Sequence, residues 1–332
     1  MDINKFIFSN DTDFLVDSML ASYHDAEKQI NAQLEKIYAR ILSGVKPEDM
    51  YNVMLQKGRL ESMLTEIQGI YKDINTNSSI YEISEYNLYN TYYKTQFALS
   101  NIPGMEVSFT RIDTDLMKLI TRGTQDSWNT IADKISKEYA LIYQPQYGSL
   151  SELLKNKERE LLAEIQQKIT SGFINGYSID KMSSMIQDIM DNARYQAERI
   201  ARTEATRCAN SGFLAASQDA SDQLGEDVKI QKQWLAADVD VKHHEHVADL
   251  DGMIVDLDEP FKMKNGLEAM YPGDFDEVGE NINCLCTIIN IINGKEPELK
   301  AARDPETGEQ GFNTPEGFKS YDDFLNDNDI EI

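Results

Sequence analysis

The chain has 332 residues, 41% hydrophobic and 27% charged, enough for one large domain or two ordinary ones with a real core. Its net charge of −25, with −14 of it in residues 251–332, opposes non-specific binding to duplex DNA or anionic lipid, which requires neutralising Lys and Arg. No run approaches the ~18 apolar residues of a membrane helix, Met1-Asp2-Ile3-Asn4-Lys5 carries no secretory signal pattern, and Cys208, Cys284 and Cys286 are too few for a disulfide scaffold and fit a reducing compartment.

Residues 1–150 read as a helical N-terminal region. From Asp11 to Leu42 the apolar residues recur every three or four positions. Gly44 is the expected stop, and Pro47 the first residue of a second helix carrying Met50 to Ile70. Asn75–Ser79 reads as a loop. Tyr81, Tyr86, Tyr89, Tyr92 and Tyr93 then either form a stacking platform for single-stranded nucleic acid or a helix face with phenol tips at a wet edge. The second reading is favoured, because no Arg or Lys is interleaved. Asn101-Ile102-Pro103-Gly104 ends this segment.

Residues 151–225 read as connector helices. Ser178 is the expected N-cap of one containing Met182, Met185, Ile186, Ile189 and Met190, a stripe expected in the core. A further long helix spans Ala193 to about Ser217, and Gly225 closes the segment. Residues 226–294 change period. Val228, Ile230, Lys232 and Trp234 alternate with polar residues and predict a strand. Residues 239–248 read as a short helix or turn, Asp251-Gly252 as a turn, Met253–Val255 as a strand and Cys284–Ile292 as a buried strand. Residues 295–332, acidic and punctuated by Pro297, Pro305 and Pro315, read as a flexible tail that folding can do without. Phe312, Phe318, Tyr321 and Phe324 are its candidate anchors on a basic partner. The fold class is therefore α+β: a mostly helical N-terminal region and connector, a small mixed C-terminal domain and a disordered tail.

Three of the four histidines, His243, His244 and His246, fall within four residues, and two of the three cysteines form Cys284-Leu285-Cys286. On a helical turn His243 and His246 share a face, and on a strand Cys284 and Cys286 share a face. Two imidazoles and two thiolates are a donor set for a tetrahedral structural zinc, although the spacing is not a usual zinc-finger pattern. Surface histidines with inert buried cysteines are the plainer alternative. Cys208 is expected to be packing. A catalytic use of the same residues would make Glu245 a base beside His-bound metal, but no H-E-x-x-H is present. Nucleophile-elbow, Walker and dinucleotide-binding patterns are also missing.

Ile200-Ala201-Arg202-Thr203-Glu204, then Trp234, Asp238 or Asp240, a His, Leu250-Asp251-Gly252, Pro260-Phe261, Pro272 and Asn283-Cys284-Leu285-Cys286, in that order, resemble the phage minor head proteins of the Mu F-like family. The resemblance covers about residues 160–295. The chain departs from the family at Leu285, where an Arg is usual, and in the spacing of His246 to Leu250, which is longer by one. The resemblance implies a minor structural protein of a tailed-phage head. It would be associated with the portal and other head proteins in the virion interior, assembled in the host cytoplasm, and would aid head assembly or DNA packaging and delivery. Some members carry a toxin enzyme after this region; the 46 residues after Cys286 are too few for one, so the expectation is a non-enzymatic form without certain cofactor beyond the zinc. Two rivals remain: a zinc-dependent hydrolase using His243, His246 and Glu245, and a DNA-handling pilot protein presenting Arg194, Arg199, Arg202 and Arg207 to solvent. Arg202-Thr203-Glu204 is expected to dock the connector helix onto the α+β domain, with Glu204 buried against a partner.

Overall fold

The structure is a computed structural model and describes residues 3–9, 12–72, 76–113, 118, 121–122, 150–237, 244–305 and 307–332. In chain order its elements are α1 (Ile3–Ile7), α2 (Asp13–Ile37), α3 (Met50–Leu55), α4 (Arg59–Lys72), α5 (Thr76–Ser100), α6 (Leu150–Ile174) and α7 (Ile179–Leu224). There follow β1 (Ile230–Leu235), α8 (Glu245–Leu250), β2 (Ile254–Asp256), β3 (Phe261–Lys262), β4 (Glu268–Ala269), α9 (Val278–Asn281) and β5 (Thr287–Ile292). The C-terminal elements are β6 (Ala301–Arg303), β7 (Gln310–Thr314), β8 (Gly317–Ser320) and α10 (Tyr321–Asp327). The α+β class holds. No helix among the described residues is long and apolar enough to cross a membrane.

The chain folds into two compact units that interleave along the sequence, rather than into four consecutive segments. The first comprises residues 1–12, 81–150 and 201–332, and the second residues 13–80 and 151–200. The second unit is helical. Its core is the apolar stripe of α2 (Met19, Tyr23, Ile30, Leu34) together with Met54, Ile67, Ile165, Ile169, Phe173, Met182, Ile186 and Met190, all buried. The methionine stripe is therefore packing, as its spacing implied. Three boundaries differ from expectation. Gly58, at φ +64°, and a 3₁₀ turn over Gln56–Gly58 split the second predicted helix into α3 and α4. The helix capped by Ser178, whose Oγ accepts from the Lys181 N–H (3.4 Å), continues through Ala193 as a single helix to Leu224. Nothing between Met190 and Ala193 breaks it. Thr76–Ser79 belong to α5, not to a loop.

In the first unit, α5 is buried on nearly every side from Asn87 to Leu99. The tyrosines lie on a helix, as the favoured reading has it, and Tyr81, Tyr86 and Tyr89 are half-buried, but its wet edge does not extend to the last two. Tyr92 and Tyr93 are buried, and the Tyr92 hydroxyl bonds Asp219 and accepts from Gln96 Nε2 (2.9 Å). The phenol tips thus reach inward polar partners rather than solvent. Helix α7 crosses α5 at Gly212, where a Cβ would lie 2.3 Å from the Leu88 carbonyl oxygen. Only a hydrogen fits there. Gly212→Ala is expected to push the helices apart at a cost of about 1–3 kcal/mol. Urea unfolding of the variant beside Ser217→Ala reads the difference, and an unchanged midpoint for Gly212→Ala would contradict the contact.

Strands β2, β1 and β5 form an antiparallel sheet in that order, with Trp234 opposite Ile288 and Gln233 opposite Ile254. The alternation in β1 turns Ile230, Lys232 and Trp234 inward. The Lys232 amine is therefore buried. Its Nζ donates to the carbonyls of Leu257 (2.9 Å) and Met270 (3.0 Å) and lies 5.3 Å from the Phe261 ring centre. Burial depresses its pKa to about 7, against the opposing pull of Asp274, Asp258 and Glu259. Between that value and its ordinary 10.5, the unfolded chain binds a proton that the folded one does not, so stability rises with pH across this window. Lys94, lowered by burial to about 8, acts in the same sense. Lys232→Met should flatten the rise in urea midpoint between pH 7 and pH 9.5. An equal slope in the two proteins would refute the assignment.

Residues 295–332 are not a flexible tail. Strands β6, β7 and β8 form an antiparallel meander, and α10 follows with Ser320 as its N-cap. Phe312 and Tyr321 are buried against Phe6, with ring centres 4.9 and 5.7 Å away, and Phe97 lies 5.2 Å from both Phe312 and Phe324. The anchors expected to meet a partner are thus largely spent inside the unit, while Phe318 stays half-buried. Pro315 sits in the β7–β8 turn, where the Thr314 hydroxyl donates to the Gly317 carbonyl (2.9 Å), so it marks a hairpin turn.

Candidate metal centre

The segment after α9 is bent back by Asn283 in a left-handed conformation (φ 57°). It then runs extended, with Cys284 and Cys286 buried and Leu285 between them 51% exposed. Both cysteines thus share a face, as expected, but they precede β5, which starts at Thr287. Two side chains of α7 hold this turn. The Thr203 hydroxyl accepts from the Asn283 N–H (3.1 Å). The Asn210 amide donates to the Cys286 carbonyl (3.1 Å) and accepts from the Ile288 N–H (3.1 Å), matching the two backbone polarities at the strand's edge.

His246 comes from α8, which the Leu250-Asp251-Gly252 turn folds back onto β1. The Gly252 N–H donates to the Trp234 carbonyl (2.9 Å), and Asp251 Oδ1 accepts from the Ala236 N–H (3.0 Å). The imidazole packs edge-on to Trp234 (5.3 Å) and stacks on Phe275 (5.2 Å), fully buried. Its Nε2 faces both thiols, 3.5 Å from Cys284 Sγ and 3.5 Å from Cys286 Sγ. On its other side Nδ1–H donates to Glu280 Oε2 (2.6 Å). The same carboxylate accepts from the backbone N–H groups of Glu245 (3.3 Å) and His246 (3.2 Å), two orphan donors at the start of α8. Burial works to lower the His246 pKa, but Cys286 and Glu280 outweigh it and the net value is raised. The Cys284 hydrogen bond, assisted by His246 and the Ala237 N–H, depresses the Cys286 thiol despite burial.

The structure thus brings together His246, Cys284 and Cys286, whose donor atoms all lie within 4.8 Å of one another. His243 and Asp238 lie outside the described residues. His244 is turned to the Ile282 carbonyl (2.9 Å). Glu280 escaped the sequence reading because it is 34 residues from its histidine; the one available signal was a carboxylate four residues before Cys284. Glu245 is exposed while the cluster is sealed, which removes the base of the hydrolase reading. Arg202-Thr203-Glu204 divides its roles. Arg202 is exposed and Thr203 holds Asn283, while Glu204 is buried and bridges Arg207 in the next turn (2.8 Å). Arg207 is 1% exposed, so the solvent-facing arginine stripe of the pilot reading fails there. Arg194 instead pairs with Asp191 (3.1 Å). Cys208 is buried, with its thiol pushed up to about 12 by burial, and is inert packing.

Residues 163–289, which include every residue of this centre, match the family described as Phage Mu protein F like protein. This stretch of the chain is Mu F-like. Among curated proteins, the chain is 34% identical over 188 residues to NAD(+)--arginine ADP-ribosyltransferase EFV of Enterococcus faecalis, covering 56% of this chain and 36% of that one. It is 29% identical over 155 residues to Minor head protein GP7 of Bacillus phage SPP1, covering 47% of this chain and 49% of that one. An uncharacterized protein of Haemophilus influenzae is 24% identical over 149 residues. The chain spans less than half the length of these relatives. No solved structure matches it significantly.

Proposed function

We propose that the protein is a minor head protein of a tailed phage that works by binding other head proteins, the portal among them, in the virion interior after assembly in the host cytoplasm. The observation that carries this reading is the use to which the Mu F-like residues are put. Asn210, Trp234 and both cysteines are buried, and Thr203, Asp251, Gly252 and Asn283 at the surface are tied by hydrogen bonds to the neighbouring backbone, so these residues hold the fold together. A hydrolase would need a metal with an open position in a pocket. The kinship to an ADP-ribosyltransferase leaves 64% of that protein outside the match (100% less the 36% covered), so its activity is not carried over. With a net charge of −25, contact with DNA is not the expected role.

Mass spectrometry of purified heads, together with co-purification of the portal on the tagged full chain, tests the proposal. The expected result is the protein in heads at low copy and a retained portal. Absence from both overturns it. An incubation with labelled NAD and an arginine analogue should transfer no label.

A further inference from the structure

We propose that Cys284 Sγ, Cys286 Sγ and His246 Nε2 are ligands of a zinc ion, with Glu280 as the residue that orients the imidazole. The inference is independent of the head-protein reading, since it rests on the geometry of three side chains and one carboxylate. A zinc with a Zn–N bond of about 2.0 Å and Zn–S bonds of about 2.3 Å, at tetrahedral angles, separates nitrogen from each sulfur by about 3.5 Å. The two observed separations are 3.5 Å. Hydrogen bonding alone explains them less well, because one Nε2 atom, as donor or as acceptor, serves only one near-linear hydrogen bond at a time.

The tautomer agrees. Glu280 accepts the hydrogen bond of Nδ1–H at 2.6 Å, and with the proton held on Nδ1 the lone pair of Nε2 is directed at the sulfurs. A carboxylate behind a ligand histidine is the usual second partner in such centres, and it raises the ligand's basicity. The softness of two thiolates with one imidazole selects zinc over calcium or magnesium. The sealed setting excludes the rival use of a histidine beside cysteines as a nucleophile pair, since His246, Cys284 and Cys286 are at most 1% exposed and a substrate must reach a reactive thiol. Zinc binding also explains why α8 and the segment from α9 to the start of β5, 34 or more residues apart, converge on one point: binding free energy of a structural zinc is folding free energy. Each thiol that becomes a ligand releases its proton to solvent, so one ion replaces up to two protons.

The test uses the full chain, purified anaerobically with reductant after growth in zinc-supplemented medium. Elemental analysis should find about one zinc per chain. Replacement by Co²⁺ should give the intense thiolate-to-cobalt absorption and the d–d bands of a tetrahedral site. Cys284→Ser and Cys286→Ser should each weaken that absorption. Glu280→Gln should keep the spectrum but bind about 10- to 100-fold more weakly in competition with a chelator. Glu245→Gln should change neither. If the cysteine variants do not fold, the cobalt spectrum and chelator competition of the unaltered chain decide alone. The proposal is overturned by a chain that takes up neither metal, by bound metal without a thiolate band, or by a Cys284–Cys286 disulfide in metal-free protein.

Discussion

Ending the chain at Gly294 will unfold the first unit, and Phe312→Ala by itself will lower its stability by about 3–5 kcal/mol. Phe312 is fully buried and shares one aromatic cluster with Phe6, Phe97 and Tyr321, side chains from both ends of the chain and from α5. Truncation to Ala removes the ring's buried area and leaves a hole that a β-strand, pinned on both sides by β6 and β8, cannot collapse to fill. Loss of residues 295–332 also uncovers Phe6 and Phe97 together. Thermal melts and urea titrations of the truncated chain, of Phe312→Ala and of Phe318→Ala separate the cases. Phe318 is half-buried, so its replacement should cost much less. A truncated chain that melts where the full chain melts would restore the reading of these residues as a dispensable tail.

Glu204→Ala is expected to destabilise the first unit by about 3–5 kcal/mol, the cost of leaving a guanidinium buried without its carboxylate. Arg207 cannot shed its proton to escape. It is 1% exposed, its Nε and Nη2 both donate to Glu204 Oε2 (2.9 and 2.8 Å), and Gly273 packs against its Cβ. Glu204→Gln keeps the shape and loses the charge, so it should fall between. Replacing both residues by methionine should recover most of the loss, because a buried pair exchanged for apolar side chains is often neutral. Chemical denaturation of the unaltered chain and the three variants reads the differences. A loss under about 1 kcal/mol for Glu204→Ala would show that the pair is not the buried bridge described, whatever the double variant does.

The lesson of the tail is one of averaging. Composition alone marked residues 295–332 as unable to build a core of their own, and that remains true, since they contribute only a few large apolar side chains. They do not need their own core: Phe312 and Tyr321 enter one supplied by Phe6 and Phe97. Pro305 and Pro315, read as signs of disorder, sit in turns of a meander, because turn residues and disordered residues have similar compositions. The interleaved units escaped the sequence for a related reason. Helices α5 and α7 each run from one unit into the other without a break, so no linker marks the boundary.

What the sequence by itself determined was local. Helical spacing placed α2 and the two stretches that join in α7, alternation placed β1 with Trp234 inward, and the alternation of Cys284, Leu285 and Cys286 placed both thiols on one face. The short-range signal at Asp251-Gly252 marked a turn that exists. Tertiary structure alone decided that Glu280, not Glu245, meets His246, that Arg207 rather than a partner across the unit takes Glu204, and that Lys232 lies buried. Each of these depends on which charged group shares a desolvated space, and charges in such spaces are paired by proximity in three dimensions, which residue spacing along a chain does not encode.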